Sequence, residues 1–270
     1  LSWPIGILAK RVGVEAALSA GVRLVPVTCR AEDPSGYGRV LRDAEGRIVA
    51  VREHADCTAE QRLIREVNAG IYLCDRKLLF DAIGGVGTKN KQREFYLPDI
   101  LAEAAHDERG VVSVEAAFDR VRGVNDASDL AAAQSLLRTR IVQRWIAEGV
   151  QFADPARVEI DHDVTLSAGV SLGAAVALRG KTRVAQGARL DNGCVVEDST
   201  IGPKATLLPY SVVGGSEIGE GARVGPFAHL RAGTVLGPGV HVGNFVETKK
   251  TQMAQGSKAN HLAYLGDGRI

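Results

Sequence analysis

The chain of 270 residues carries 33 lysines and arginines against 32 aspartates and glutamates, which leaves a formal net charge of +1. This length is enough for two domains, each with a hydrophobic core of its own. The balanced charge excludes a protein whose overall field draws it to nucleic acid or to an anionic membrane, so the expected ligands are small molecules.

The four cysteines lie far apart, at positions 29, 57, 74 and 194, and form neither a CxxC pair nor a metal-binding cluster. This spacing is typical of free thiols in a reducing compartment. The apolar stretch from Ile5 to Ala9 is too short to span a bilayer, and it lacks the basic flank and cleavage site of a signal peptide. We therefore predict a cytoplasmic protein without membrane insertion.

Residues 1–127 alternate short strand-like runs with turns and helical patterns, which predicts an α/β domain. Two apolar runs, 40–42 and 48–51, flank the polar segment 43–46 and indicate a β-hairpin. The turn Asn68-Ala69-Gly70 precedes another predicted strand, 71–74. Apolar positions at helical spacing then predict a long connecting helix over residues 128–148.

The third segment, residues 149–270, has an apolar residue at every sixth position, with two slips of one residue. Neither the 3.6-residue period of a helix nor the alternation of an ordinary strand explains this spacing. A β-sandwich would show period two and irregular turns. A stacked parallel β-helix explains it, with each hexad forming one side of a triangular coil. The repeat comprises Ile160, Leu166, Leu172, Leu178, Val184, Leu190, Val196, Ile201, Leu207, Val213, Ile218, Val224, Leu230, Leu236 and Val242.

The repeat is interrupted between Phe245 and Gly266, where we expect a loop that leaves the coil. This segment concentrates lysines, a tyrosine and His261. Histidine is the side chain best suited to accept a proton near neutral pH, and lysines suit a phosphate group. From this chemistry alone, a functional loop and a solvated basic loop with an incidental histidine both stay open.

Ordered motifs from both parts of the chain closely resemble those of the bacterial bifunctional UDP-N-acetylglucosamine pyrophosphorylase/glucosamine-1-phosphate N-acetyltransferase family. The resemblance covers residues 21 to 270. It is carried by residues 33–39 (DPSGYGR), 51–54 (VREH), 66–70 (EVNAG), 94–99 (EFYLPD), 123–125 (GVN), 225–231 (GPFAHLR), 243–250 (GNFVETKK) and 257–267 (SKANHLAYLGD).

For the carboxyl-terminal part, the resemblance implies a left-handed β-helix that acetylates glucosamine-1-phosphate with acetyl-CoA. His261 matches the general base of the family. Arg231 and Lys249 match the pair that binds the sugar phosphate, and Tyr264 matches a residue on the substrate sugar. The resemblance also implies a homotrimer whose active site lies between protomers.

For the amino-terminal part, the resemblance implies a Rossmann-like nucleotidyltransferase domain that joins N-acetylglucosamine-1-phosphate to UTP and releases pyrophosphate. Gly38, Glu53 and Asn68 match positions that hold UDP-N-acetylglucosamine, as does Asn125, which also matches a Mg²⁺ ligand. Judged by residue type alone, these four would be turn, cap or solvated strand-end residues.

Two parts of the family pattern have no counterpart in the sequence: the glycine-rich phosphate-binding loop and the Tyr-Gly-Asp step that supplies the other Mg²⁺ ligand. Residues 1–20 match nothing in the family. The chain begins at Leu1 without a methionine and ends at Ile270, where the six-residue repeat has just resumed. We therefore expect both ends to be cut, and this polypeptide alone to have little of either activity that its complete parent has.

Two other functions compete with this interpretation. One is a non-catalytic trimeric hexapeptide-repeat scaffold that binds a sugar phosphate or a partner through the basic segment. The other is a related sugar-1-phosphate nucleotidyltransferase with a hexapeptide-repeat regulatory domain. An Asn260-His261 pair together with Lys249-Lys250 is not expected of the latter.

Overall fold

The computed structural model describes residues 21–105 and 111–270, and the chain divides into two compact units with the boundary after Ala133. Residues 1–20, which match no family motif, lie outside the described residues. Among the described residues, no helix combines the length and the apolar composition that crossing a membrane requires.

The first unit is built on a mixed sheet of five strands: β1 Leu24–Arg30, β2 Arg39–Arg42, β3 Ile48–Arg52, β4 Glu66–Cys74 and β5 Val114–Ala116. Their order in the sheet is β3-β2-β4-β1-β5. Strands β1 and β5 are parallel, whereas β1 and β4, and β2 and β3, are antiparallel. The helices are α1 Ala59–Arg62, α2 Arg76–Ile83, α3 Ile100–Ala105 and α4 Phe118–Val121, with 3₁₀ turns at His54–Asp56 and Leu97–Asp99. The predicted partial α/β domain is confirmed.

Strand β4 corrects one sequence prediction. The predicted turn at residues 68–70 lies inside a strand that already begins at Glu66. Tyr72 pairs with Pro26 and Asn68 pairs with Thr28, so β4 holds extra residues between these two pairs and bulges. Gly70 adopts a φ of +70°, which glycine tolerates without steric cost, and its N–H donates to Asn68 Oδ1 at 3.2 Å. The turn-like composition therefore marks a β-bulge.

A long helix, α5, spans Ala127–Ala147, and Asp126 Oδ1 accepts a hydrogen bond from the Asp129 N–H in its first turn. Val142 and Trp145 are buried, and Trp145 joins the core of the second unit. The guanidinium of Arg144 lies over the Trp145 ring, 4.4 Å from its centroid, in a cation–π contact.

The second unit is a parallel β-solenoid whose short strands form three stacked sheets, here called faces 1 to 3, and a 3₁₀ turn at Pro155–Arg157 lies in its first coil. Face 1 contains β6 Gln151–Phe152, β9 Ser171–Leu172, β12 Arg189–Leu190, β15 Thr206–Leu207, β18 Arg223–Val224, β21 His241–Asn244 and β24 Lys258–His261. Face 2 contains β7 Glu159–Ile160, β10 Ala177–Arg179, β13 Val195–Glu197, β16 Val212–Gly214, β19 His229–Leu230, β22 Glu247–Lys249 and β25 Tyr264–Gly266. Face 3 contains β8 Thr165–Leu166, β11 Arg183–Val184, β14 Thr200–Ile201, β17 Glu217–Ile218, β20 Val235–Leu236 and β23 Gln252–Met253.

Every apolar residue of the six-residue repeat is buried in one continuous core, as predicted. Successive coils stack in register: Leu190 pairs with Leu207, and Val196 pairs with Val213. The two slips fall where the chain passes from face 2 to face 3, and they shorten a coil without disturbing the stack. The parallel β-solenoid is thus confirmed, and its left-handed sense stays a prediction.

The predicted interruption between Phe245 and Gly266 is wrong. This segment forms β22 to β25, which continue the stack with Thr248 paired to Leu230 on one side and to Leu265 on the other. The inward positions are occupied by Thr248, Met253 and Ala259, all buried, and these residue types hide the repeat from a search for Val, Ile and Leu. Thr248 is accommodated because its hydroxyl hydrogen-bonds to that of Thr234 at 2.9 Å. Polar side chains of this segment therefore project from regular strands.

Candidate functional site

The second unit carries a polar cluster on the outward surface of face 2. Glu247 pairs with His229 in the preceding coil and with Tyr264 in the following coil. Arg231 and Lys249 each lie two residues beyond a member of this column, at equivalent positions of consecutive coils. Since alternate residues of a strand point to the same side, Arg231, Lys249, Glu247 and Tyr264 share the solvent-facing surface.

The charges within this cluster are unevenly paired. Arg231 Nη1 donates to Glu247 Oε1 at 2.9 Å, and both side chains are more than two-fifths exposed. The Lys249 ammonium forms no ion pair with the residues that the structure describes. Two cations against one carboxylate leave this surface positive, which suits a small anion with several oxygens. Sequence reasoning missed Glu247, although its place two residues before Lys249 in a strand predicts the same face.

His261 lies at the corner between faces 1 and 2, at the end of β24, where it pairs with Asn244 of the preceding coil. Its ring is exposed and makes no hydrogen bond to any described residue, so both nitrogens are open to a bound molecule. Three residues further along the chain, Tyr264 opens β25 on face 2 with 60% of its surface exposed. The corner thus sets an imidazole, a group able to accept a proton, beside the positively charged surface of face 2.

The same corner carries a row of exposed apolar side chains in successive coils, here called the corner ladder: Tyr210, Phe227, Phe245 and Leu262. The rings of Tyr210, Phe227 and Phe245 stack with centroids 5.4 Å apart and planes within 10°. All four residues have positive φ values. The preceding coil has Gly193 at this position, where a Cβ would lie 2.5 Å from the ring of Tyr210. The sequence reveals this ladder only through the coil-length spacing of its aromatic residues.

In the first unit, three of the predicted residues come together. The Asn68 N–H donates to the Gly38 carbonyl oxygen at 2.9 Å. A Cβ on Gly38 would lie 3.0 Å from Glu53 Oε1, so the absent side chain of Gly38 makes room for the Glu53 carboxylate. Beneath them the fully buried Arg39 donates to the Tyr37 carbonyl and contacts His54 Nδ1 at 3.3 Å. The turn and the strand end that carry these residues are thereby held together.

Glu53 lines a cleft of about 420 Å³ together with Asp56, Lys89, Tyr96 and Asp99. Burial raises the pKa of Glu53, and the neighbouring carboxylates of Asp56 and Asp99 raise it further. The segment that carries Lys89 is tethered to the cleft wall, since the Lys91 N–H donates to Asp56 Oδ1 at 3.0 Å. Polar groups of both signs surround a space large enough for a small polar ligand.

Asn125 lies apart from that group, in a second cleft of about 650 Å³ lined also by Tyr37, Arg122 and Asp129. Asp129 is occupied there, since it accepts hydrogen bonds from Arg122 at 3.1 Å and from the Asn125 N–H at 3.2 Å. Within residues 21–105 and 111–270, no three His, Cys, Asp or Glu side chains converge on a point where they could hold a metal ion. Asn125 offers one amide oxygen, and the Asp129 carboxylate beside it is already engaged by Arg122, so these two residues by themselves do not fit a Mg²⁺ ion.

Comparison with known proteins agrees with the architecture. Residues 215–250 match the family described as bacterial transferase hexapeptide (six repeats). A protein named Bifunctional protein GlmU from Anaeromyxobacter dehalogenans is 43% identical over 95% of this chain and 53% of its own length. One of the same name from Sorangium cellulosum is 47% identical over 90% of this chain and 51% of its own. The chain thus spans about half the length of the curated relatives it matches.

Among solved structures, the acetyltransferase domain of PglB from Neisseria gonorrhoeae in complex with acetyl coenzyme A is 20% identical. The match covers 60% of this chain and 68% of that one with a TM-score of 0.22, a likeness that carries no argument about function.

Proposed function

We propose that this chain, whose resemblance to proteins named Bifunctional protein GlmU extends over nearly its whole length, is part of a bifunctional transferase that makes UDP-N-acetylglucosamine. The solenoid would bind glucosamine-1-phosphate for acetylation by acetyl-CoA. The first unit would hold the nucleotide sugar formed from N-acetylglucosamine-1-phosphate and UTP. The observation that carries the proposal is the stacking of Arg231 and Lys249 on one outward face, with His261 at the adjoining corner.

In the acetylation step, Arg231 and Lys249 bind the phosphate of the amino sugar, and Tyr264 contacts the sugar. The sugar amine attacks the thioester carbonyl carbon of acetyl-CoA, so that a C–N bond forms and the C–S bond breaks. His261 removes the proton from the amine and returns it to the leaving thiolate, which keeps protons and electrons balanced. Face 2 therefore binds the phosphate of the amino sugar, and His261 at the corner acts as the base.

In the first unit, Glu53 and Asn68 present an acceptor and a donor to the hydroxyl groups of the nucleotide sugar, while Gly38 lets the ligand and the Glu53 carboxylate approach the backbone. Asn125 contacts the nucleotide from its own cleft. Uridylyl transfer calls for a cation such as Mg²⁺ to neutralise phosphate charge, and Asn125 and Asp129 by themselves do not fit that ion.

The first test uses the 270-residue chain itself. We expect titration calorimetry to detect binding of glucosamine-1-phosphate, while an assay with acetyl-CoA detects little or no N-acetylglucosamine-1-phosphate. The reason is that Arg231 and Lys249 on face 2 provide the phosphate contacts, whereas the chain spans only about half the length of the relatives whose names indicate two activities. Rapid acetylation by this chain would refute the second expectation, and absence of sugar-phosphate binding would refute the first.

We also propose that the solenoid forms a homotrimer through the corner ladder. Tyr210, Phe227, Phe245 and Leu262 are 49–75% exposed and form one contiguous apolar strip beside His261. Monomeric proteins seldom expose such strips. A second protomer that packs against the corner ladder would also border the flat surface of face 2 and turn it into a cleft.

Sedimentation equilibrium tests the trimer. We expect the chain to sediment as a trimer, and Phe227→Ser to shift it toward the monomer because an apolar ring is lost from the contact. Phe80→Ser is the matched control, since Phe80 is an exposed phenylalanine of the first unit, at 67% exposure. A wild-type chain that stays monomeric at all concentrations would contradict the proposal.

A further inference from the structure

Arg39 is a buried cation that is hydrogen-bonded to two separate segments of the first unit. It begins β2, an inner strand of the sheet, where it pairs with Arg52 and with Val67, and only 1% of its surface is exposed. Its Nη1 donates to the Tyr37 carbonyl oxygen and its Nη2 contacts His54 Nδ1 at 3.3 Å, while Nε has no partner among the described residues. Neither acceptor is a carboxylate. Burying a charge against uncharged acceptors costs free energy, which favours a role beyond the packing of the sheet.

The two acceptors belong to segments that line different clefts. Tyr37 lines the cleft of about 650 Å³ that also contains Asn125, and its ring packs at 72° to that of Phe118 with centroids 5.6 Å apart. His54 directly follows Glu53, which lines the cleft of about 420 Å³. None of the described residues donates a hydrogen bond to the Glu53 carboxylate, so its position depends on the backbone that carries it.

The guanidinium of Arg39 suits this double contact by its shape. A guanidinium offers only donors, so His54 Nδ1 must accept, and the ring proton lies on Nε2. The planar fork of an arginine holds a carbonyl and an imidazole at once, whereas the ammonium of a lysine has no such fixed geometry. Arg39 therefore fixes the segment of Tyr37 and the segment of Glu53 relative to each other.

We propose that Arg39 is a positioning residue for the nucleotide-sugar site, which holds the Tyr37 carbonyl and His54 Nδ1 so that one nucleotide sugar contacts both clefts. The inference rests on the function proposed for the first unit. It adds two residues, Arg39 and His54, to which the resemblance assigns no role.

Substitutions of His54 test this contact without removing the buried cation. In His54→Asn an amide oxygen takes the place of Nδ1 as acceptor, whereas His54→Leu has no acceptor. Titration calorimetry on the whole chain should show that His54→Leu lowers the affinity for UDP-N-acetylglucosamine about tenfold, the scale of one hydrogen bond to a charged group, while His54→Asn stays within about threefold of the wild type. Arg39→Lys should weaken binding as His54→Leu does. His162→Leu, which replaces an exposed histidine of the second unit, is the matched control.

The outcomes separate the two proposals. If the chain binds the nucleotide sugar and His54→Leu binds it as tightly as the wild type or as His54→Asn, the positioning role is overturned and the proposed function stands. If the wild-type chain does not bind at all, the function proposed for this unit fails. The positioning role is then judged by the backbone amide resonance of Gly38, whose nitrogen belongs to the peptide that Arg39 binds. In a ¹⁵N-labelled sample it should shift in His54→Leu and stay near the wild-type position in His54→Asn, and equal positions in the two variants would overturn the role.

Discussion

Replacing His261 with alanine is expected to lower the rate of acetyl transfer by ~10²–10⁴-fold, the usual contribution of a positioned general base. The physical reason is that the amine must lose a proton as it attacks the thioester, and the exposed imidazole of His261 is placed at this corner to take it. Binding of glucosamine-1-phosphate should change by less than about threefold, since Arg231 and Lys249 supply the electrostatic grip.

The assay measures acetyl transfer by a chimera in which this chain is joined to the residues of the Anaeromyxobacter relative that its match leaves uncovered. His241→Ala is the matched control, because His241 projects from β21 on face 1, in the coil that precedes β24. If His261→Ala kept full activity while its control did the same, the general-base role would fail. A non-catalytic solenoid that binds a sugar phosphate would then be the better description.

The second large effect is expected at the phosphate grip. Arg231→Ala and Lys249→Ala should each weaken binding of glucosamine-1-phosphate by about 10- to 100-fold, since a charge-assisted hydrogen bond contributes about 1.5–3 kcal/mol. Removing Arg231 has an added cost, because Glu247 then faces the ligand phosphate without its partner. Arg231→Lys should recover only part of the affinity, since an ammonium lacks the two-pronged geometry of the guanidinium.

Calorimetry on the 270-residue chain measures this effect. Arg223→Ala serves as the control, since Arg223 is an exposed arginine on β18 of face 1 and its loss should leave affinity within about twofold. Glucosamine without phosphate should bind weakly to every variant. Equal affinity for the sugar with and without its phosphate would show that face 2 does not recognise the anion, and would remove the basis for the proposed acceptor site.

Several features of this protein were predictable because they depend on short-range sequence patterns. A residue such as Leu190 or Val196 must be apolar because each side of a coil buries one side chain, and this requirement recurs every six residues whatever the rest of the chain does. The hairpin of β2 and β3 and the helix of residues 127–147 likewise follow from local turn chemistry and helical spacing. The roles of His261, Arg231, Lys249, Tyr264, Gly38, Glu53, Asn68 and Asn125 stay predictions.

What only the tertiary structure decided depends on contacts between residues distant in the chain. The sequence determined a solenoid, but Thr248, Met253 and Ala259 depart from its Val, Ile and Leu pattern, and only the stacking of neighbouring coils shows that they point inward. The pairing of Arg231 with Glu247 arises because coils superpose residues that are far apart in sequence. The separation of Asn125 from Glu53 into two clefts follows from the tertiary arrangement of the first unit. The six-residue repeat of the sequence indicates which side chains must be apolar. The position of a polar side chain depends instead on the tertiary packing around it.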